Sequence, residues 1–147
     1  MILSRTLMIT SVAIAASSMS LTLAFADTVT YHADLTAAAE TPPTSSTGSG
    51  KLDATYDSAT HKLAWTATYS GLTGPATMAH FHGPAKVGVA APVMVPIKGD
   101  LASPIKGEAE LTADQAKALQ DGEMYFNIHT AANKAGEIRG QVVPASK

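Results

Sequence analysis

Apolar and polar residues alternate along most of the chain. In Lys62-Leu63-Ala64-Trp65-Thr66-Ala67-Thr68-Tyr69, the side chains of Leu63, Trp65, Ala67 and Tyr69 share one face, while Lys62, Thr66 and Thr68 share the other. That period of two predicts a strand with its apolar side on a core and its other side in water. The same alternation runs through Val29-Tyr31-Ala33-Leu35, Leu52-Ala54-Tyr56 and Ile138-Gly140-Val142. Phe126 and Ile128 face one way, and Tyr125, Asn127 and His129 the other. Asp57-Ser58-Ala59-Thr60 predicts a hairpin, and Pro42-Pro43, Gly48-Ser49-Gly50 and Gly71 to Pro75 break the chain between strands. The count is about seven to eight short strands, which predicts an all-β sandwich or barrel.

One segment departs from this period. Residues 112–121 read as a short helix with Thr112 at the N-cap, Asp114 and Gln115 in the first turn and Gly122 as the stop. Leu111, Ala116 and Leu119 are placed to pin it against an edge of the sandwich. Residues 1–26 follow another logic. Arg5 precedes an uncharged, mostly apolar run from Leu7 to Phe25, and Ala24-Phe25-Ala26 offers the small-x-small pattern of a signal-peptide cleavage site. The remaining residues, 27–147, are the size of one domain and contain no second apolar run, so no membrane association is expected after cleavage.

Composition narrows the chemistry. Without Arg5, nine Lys and Arg stand against twelve Asp and Glu, a net charge of −3 that gives no reason to expect nucleic acid or an anionic membrane as partner. The chain has no cysteine, which removes disulfides, thiolate metal sites and cysteine nucleophiles. Metal chemistry must therefore use His, Met and carboxylate donors.

The sharpest local feature is Met78-Ala79-His80-Phe81-His82-Gly83. On a strand, His80 and His82 point to one face, and Met78 joins them one repeat earlier. His129 occupies the polar face of a later strand, so pairing of the two strands makes a three-nitrogen site suited to copper or zinc, with copper favoured. Met78 reads equally as a soft fourth ligand, preferring Cu(I) or axial on Cu(II), or as a packing residue. His32 and His61 read as ordinary exposed histidines. Glu137 and Arg139 read as a structural pair that can also orient the His129 loop from behind the ligands, with Glu40, just before Pro42-Pro43, a third such candidate. There is no Ser–His–Asp arrangement, phosphate-cradling loop or paired-carboxylate pattern, so hydrolysis is unsupported.

Several short pieces occur together in a recognisable order. They are Ala33-x-Leu35 with Glu40-Thr41-Pro42-Pro43, then Tyr69-Ser70-Gly71-Leu72, then Ala79-His80-Phe81-His82-Gly83-Pro84. Leu111-Thr112 with Leu119 and Gly122, Asn127-Ile128-His129-Thr130 and Gly136-Glu137-Ile138-Arg139-Gly140-Gln141 complete the set. From Tyr31 to about Val142 the chain resembles a CHRD domain, the module named after chordin and common in exported bacterial proteins. The resemblance implies an immunoglobulin-like or Greek-key β-sandwich. The His80-x-His82 strand with a distant His129 is also similar to the copper ligands of Cu,Zn superoxide dismutases, although this chain lacks their Cys pair and their zinc-binding loop.

Three functional readings follow. The leading one is a periplasmic or secreted copper-binding protein for copper storage, delivery or tolerance, with a copper donor or acceptor protein as partner and a homodimer compatible with the sequence. The others are a copper-dependent redox enzyme of dismutase type and a metal-free extracellular interaction or structural module.

Overall fold

The period-two segments become eight antiparallel strands in the computed structural model, which describes residues 27–145. The expected export segment and its cleavage point lie outside these residues. The strands are β1 (Thr28–Thr36), β2 (Ser49–Asp57), β3 (Lys62–Ser70), β4 (Ala76–His82), β5 (Val93–Pro96), β6 (Ile105–Glu110), β7 (Met124–Thr130) and β8 (Ile138–Pro144). They form one ladder in the order β5-β4-β7-β8-β1-β2-β3-β6. Sequence neighbours β1, β2 and β3 pair as hairpins, whereas β3 to β4, β5 to β6 and β6 to β7 cross between the halves, giving the Greek-key character expected.

The ladder curls into a near-closed sandwich because its inner face is apolar from end to end. Tyr31, Ala33 and Leu35 of β1, Leu52, Ala54 and Tyr56 of β2, and Leu63, Trp65 and Ala67 of β3 are all buried. Trp65 and Phe81 belong to strands far apart in the ladder, yet their rings meet edge to face with centroids 5.1 Å apart. Phe81 in turn contacts its cross-strand partner Phe126 at 4.9 Å. These aromatic contacts join the two halves of the sandwich.

Trp65 packs flat against β6 because position 107 is glycine. A Cβ there would stand 2.5 Å from the indole Cζ2. Gly107→Ala is therefore expected to overpack the core and cost about 1–3 kcal/mol in denaturant unfolding. The sole tryptophan's fluorescence reports the transition. A variant as stable as the parent would show that the indole shifts at no cost.

The helix α1 (Ala113–Gln120) forms as expected, with a full capping box. Thr112 Oγ1 accepts from Gln115 N, and Gln115 Oε1 accepts from Thr112 N. Gly122 follows with φ 71°, ending the helix without strain. Leu111, Ala116 and Leu119 enter the core, and Gln115 Nε2 donates to Met94 O, which ties the helix to β5.

Two features differ from the expectation. Strand β5 was hidden because it is only four residues long, preceded by Pro92 and ending on Pro96. The polar face of β7 does not meet water. Every residue of β7 is buried, because the segments around 40–44, 83–92 and 131–136 fold across that face.

Candidate metal centre

The register of β4 with β7 builds the site. His80 lies opposite Asn127, His82 opposite Tyr125 and Met78 opposite His129. Ala79, Phe81, Phe126 and Ile128 turn inward to the core, so the alternate positions all stand on the outer face. His80, His82 and His129 offer ring nitrogens that lie within 4.8 Å of one another, close enough to hold a metal ion. The structure thus brings together the three histidines singled out from the sequence. Met78 sits across the ladder from His129 and is 43% exposed, at the rim. His32 and His61 stay apart from the cluster, and His61 occupies a left-handed turn position at φ 56°.

Backbone carbonyls fix two of the three rings. His82 Nδ1 is 2.9 Å from Ala91 O, and His129 Nδ1 is 2.9 Å from Lys134 O. A carbonyl oxygen only accepts, so each neutral ring carries its proton on Nδ1 and keeps a lone pair on Nε2. Those lone pairs point into the cluster, where His80 Nδ1 is 3.1 Å from His129 Nε2. Burial lowers the pKa of His80 to about 4, helped by repulsion from His129 and His82. Burial also lowers that of His129, against the opposing pull of Lys134 O. Both rings are therefore neutral at pH 7 and need lose no charge to bind a cation.

The rings are braced from behind. His82 stacks on Tyr125 with centroids 4.8 Å apart and planes 1° from parallel. The Arg139 guanidinium carbon stands 3.4 Å from the centroid of the same Tyr125 ring. Tyr125 Oη and Ala91 are linked by a pair of contacts, Ala91 N donating at 3.2 Å and Tyr125 Oη donating to Ala91 O at 3.3 Å. Arg139 Nη2 donates to Val89 O at 2.8 Å and Nη1 to Thr41 Oγ1 at 3.3 Å. The 83–92 segment that orients His82 is thus held by Arg139 and Tyr125.

Glu137 and Arg139 do not form the pair expected of them. Both are buried, but they bind different segments of the chain. The Glu137 carboxylate accepts from Ser46 Oγ, Thr73 N, Thr73 Oγ1, Thr130 Oγ1 and Asn133 Nδ2. Burial opposes its ionisation, but these donors outweigh burial and hold its pKa at about 2. Because Thr130 and Asn133 bracket the turn after His129, Glu137 fixes the path that delivers Lys134 O to His129. Glu40 is also buried and reaches the cluster through Asn127, whose Nδ2 donates to Glu40 Oε1 at 3.4 Å.

Asn127, Tyr125 and the carbonyls of Ala91 and Lys134 had no assigned role in the sequence reading. Asn127 and Tyr125 were visible on the same face as His129, and that shared face is the signal for them. The carbonyls have none, since any residue supplies one.

No curated protein and no solved structure matches the chain. The CHRD domain model matches residues 31–142, which include every strand that carries the site, and the chain belongs to the CHRD domain family.

Proposed function

We propose that the protein is an exported copper-binding protein, serving copper storage, delivery or tolerance through His80, His82 and His129. The observation that carries this reading is the locking of two imidazoles by backbone carbonyls, which aims both Nε2 lone pairs at a point that His80 also reaches. Held this way before the ion arrives, the donors lose little freedom on binding. A set of imidazoles without thiolate suits Cu or Zn, and the first-row affinity order favours copper at equal geometry. Met78 at the rim is available as a soft further donor to Cu(I). Export is supported by Arg5 and the apolar run 7–25, and among the described residues no helix is long and apolar enough to cross a membrane.

The test is titration with Cu(II), and with Cu(I) under reducing conditions, of the parent, His80→Ala and His61→Ala proteins. One tight equivalent is expected in the parent and His61→Ala, with affinity about 100-fold lower in His80→Ala. Equal affinity in all three proteins would return the histidines to the fold and favour a metal-free module. A dismutase reading would need superoxide turnover above that of free copper.

A further inference from the structure

The three imidazoles leave one buried polar atom of the cluster unexplained. Asn127 is 2% exposed, and its Oδ1 lies 3.1 Å from His82 Nε2 and 3.0 Å from His129 Nε2. Both nitrogens carry lone pairs, since their rings spend their protons on Ala91 O and Lys134 O. An amide oxygen also only accepts. His80 Nδ1 can supply a proton only to His129 Nε2, so His82 Nε2 and Asn127 Oδ1 still face each other as acceptors with none between them, an arrangement that repels unless a cation sits there. The spacing fits that cation. Ligands at about 2.0–2.1 Å from a tetrahedral ion are separated by roughly 3.3 Å, close to the distances seen.

We propose that Asn127 Oδ1 is the fourth ligand, making an N3O centre that selects Cu(II) or Zn(II) over Cu(I); this rests on the three-histidine metal reading above. A carbonyl oxygen is a hard donor that suits divalent ions, whereas Cu(I) prefers sulfur. Glu40 is the positioning residue. By accepting from Asn127 Nδ2 it keeps the amide oxygen turned toward the imidazoles. The chain makes room for this contact at Gly136, whose φ is 134°. A Cβ there would overlap the Glu40 carboxylate and come within 2.8 Å of Asn127 Nδ2.

The opposite amide orientation makes a different molecule. Asn127 would then donate both N–H groups to the two imidazoles and turn its oxygen to Glu40, which must be protonated to donate back. The two arrangements separate by experiment on the full chain. Asn127→Ala is expected to lower Cu(II) and Zn(II) affinity about 10–100-fold while leaving Cu(I) affinity unchanged. The exchange variant Asn127→Asp with Glu40→Gln keeps an oxygen at the metal and an amide behind it, and is expected to restore divalent affinity. In the parent protein, NMR of the Zn(II) titration should move Asn127 Cγ together with Nε2 of His82 and His129, a readout that needs no variant. Parent protein that binds Zn(II) through its histidines while Asn127 Cγ stays still would overturn the oxygen ligand and leave the three histidines standing. Failure of the parent to bind any of these ions would instead overturn the metal reading itself.

Discussion

Glu137→Ala is expected to remove about 3–5 kcal/mol of stability, a large share of what a domain of this size possesses. The carboxylate is fully buried and is the common acceptor for donors from three separate segments, Ser46, Thr73 and the Thr130–Asn133 turn. Truncation strands those donors in a dry interior, where an unmade hydrogen bond costs about 1–3 kcal/mol. The same group makes stability depend on acid. Its pKa of about 2 lies below the ordinary 4.5, so the native state favours the ionised form. Its contribution is fully present above pH 4.5 and is lost as pH falls through 2, about 3 kcal/mol in all. Urea unfolding of the parent and Glu137→Gln at pH 6, 4 and 2.5 measures this directly. The gap between the two proteins should narrow as pH falls. A gap that stays constant would show that the ionisation of Glu137 is not what the network stabilises.

His129→Ala is expected to reduce Cu(II) affinity by about 100-fold or more with little loss of fold. His129 links a neighbouring imidazole to the buried amide of Asn127. Its Nε2 is 3.1 Å from His80 Nδ1 and 3.0 Å from Asn127 Oδ1. Losing it leaves only two imidazoles, His80 and His82, whose ring centroids are 5.3 Å apart. Structural damage should be modest because the inward face of β7, Phe126 and Ile128, is untouched. Calorimetric copper titration beside a thermal melt separates the effects. A variant that melts like the parent and binds copper equally well would remove His129 from the site.

The strands other than β5, and the helix, were legible because each is declared locally. Alternation in Lys62–Tyr69 and the Thr112–Gln115 cap need no distant information. The histidines were legible too, because spacing puts His80 and His82 on one face and His129 on the polar side of its own strand. What could not be read depends on how far-apart loops return. Glu137 was read as a partner for Arg139 two residues on, but its acceptor sites are filled by Ser46 and Thr73, 91 and 64 residues away. Alternation marked β7 as half wet, and only the return of the loops across it makes His129 and Asn127 buried. The ring orientations rest on carbonyls of Ala91 and Lys134, which carry no side-chain signature.

The ladder ends at β5 and β6, and each end is finished differently. Strand β5 has only four residues, preceded by Pro92 and ending on Pro96, so it offers a short row of backbone donors to an incoming chain. Strand β6 is longer but carries Lys106, Glu108 and Glu110 on alternate positions, with Glu108 held by Lys62 at 2.9 Å. A second molecule laid antiparallel on β6 would have to bring its own charges against these. Proline at one margin and charge at the other discourage edge-to-edge stacking into aggregates, a useful property in a chain that has no disulfide to restrain its unfolded forms.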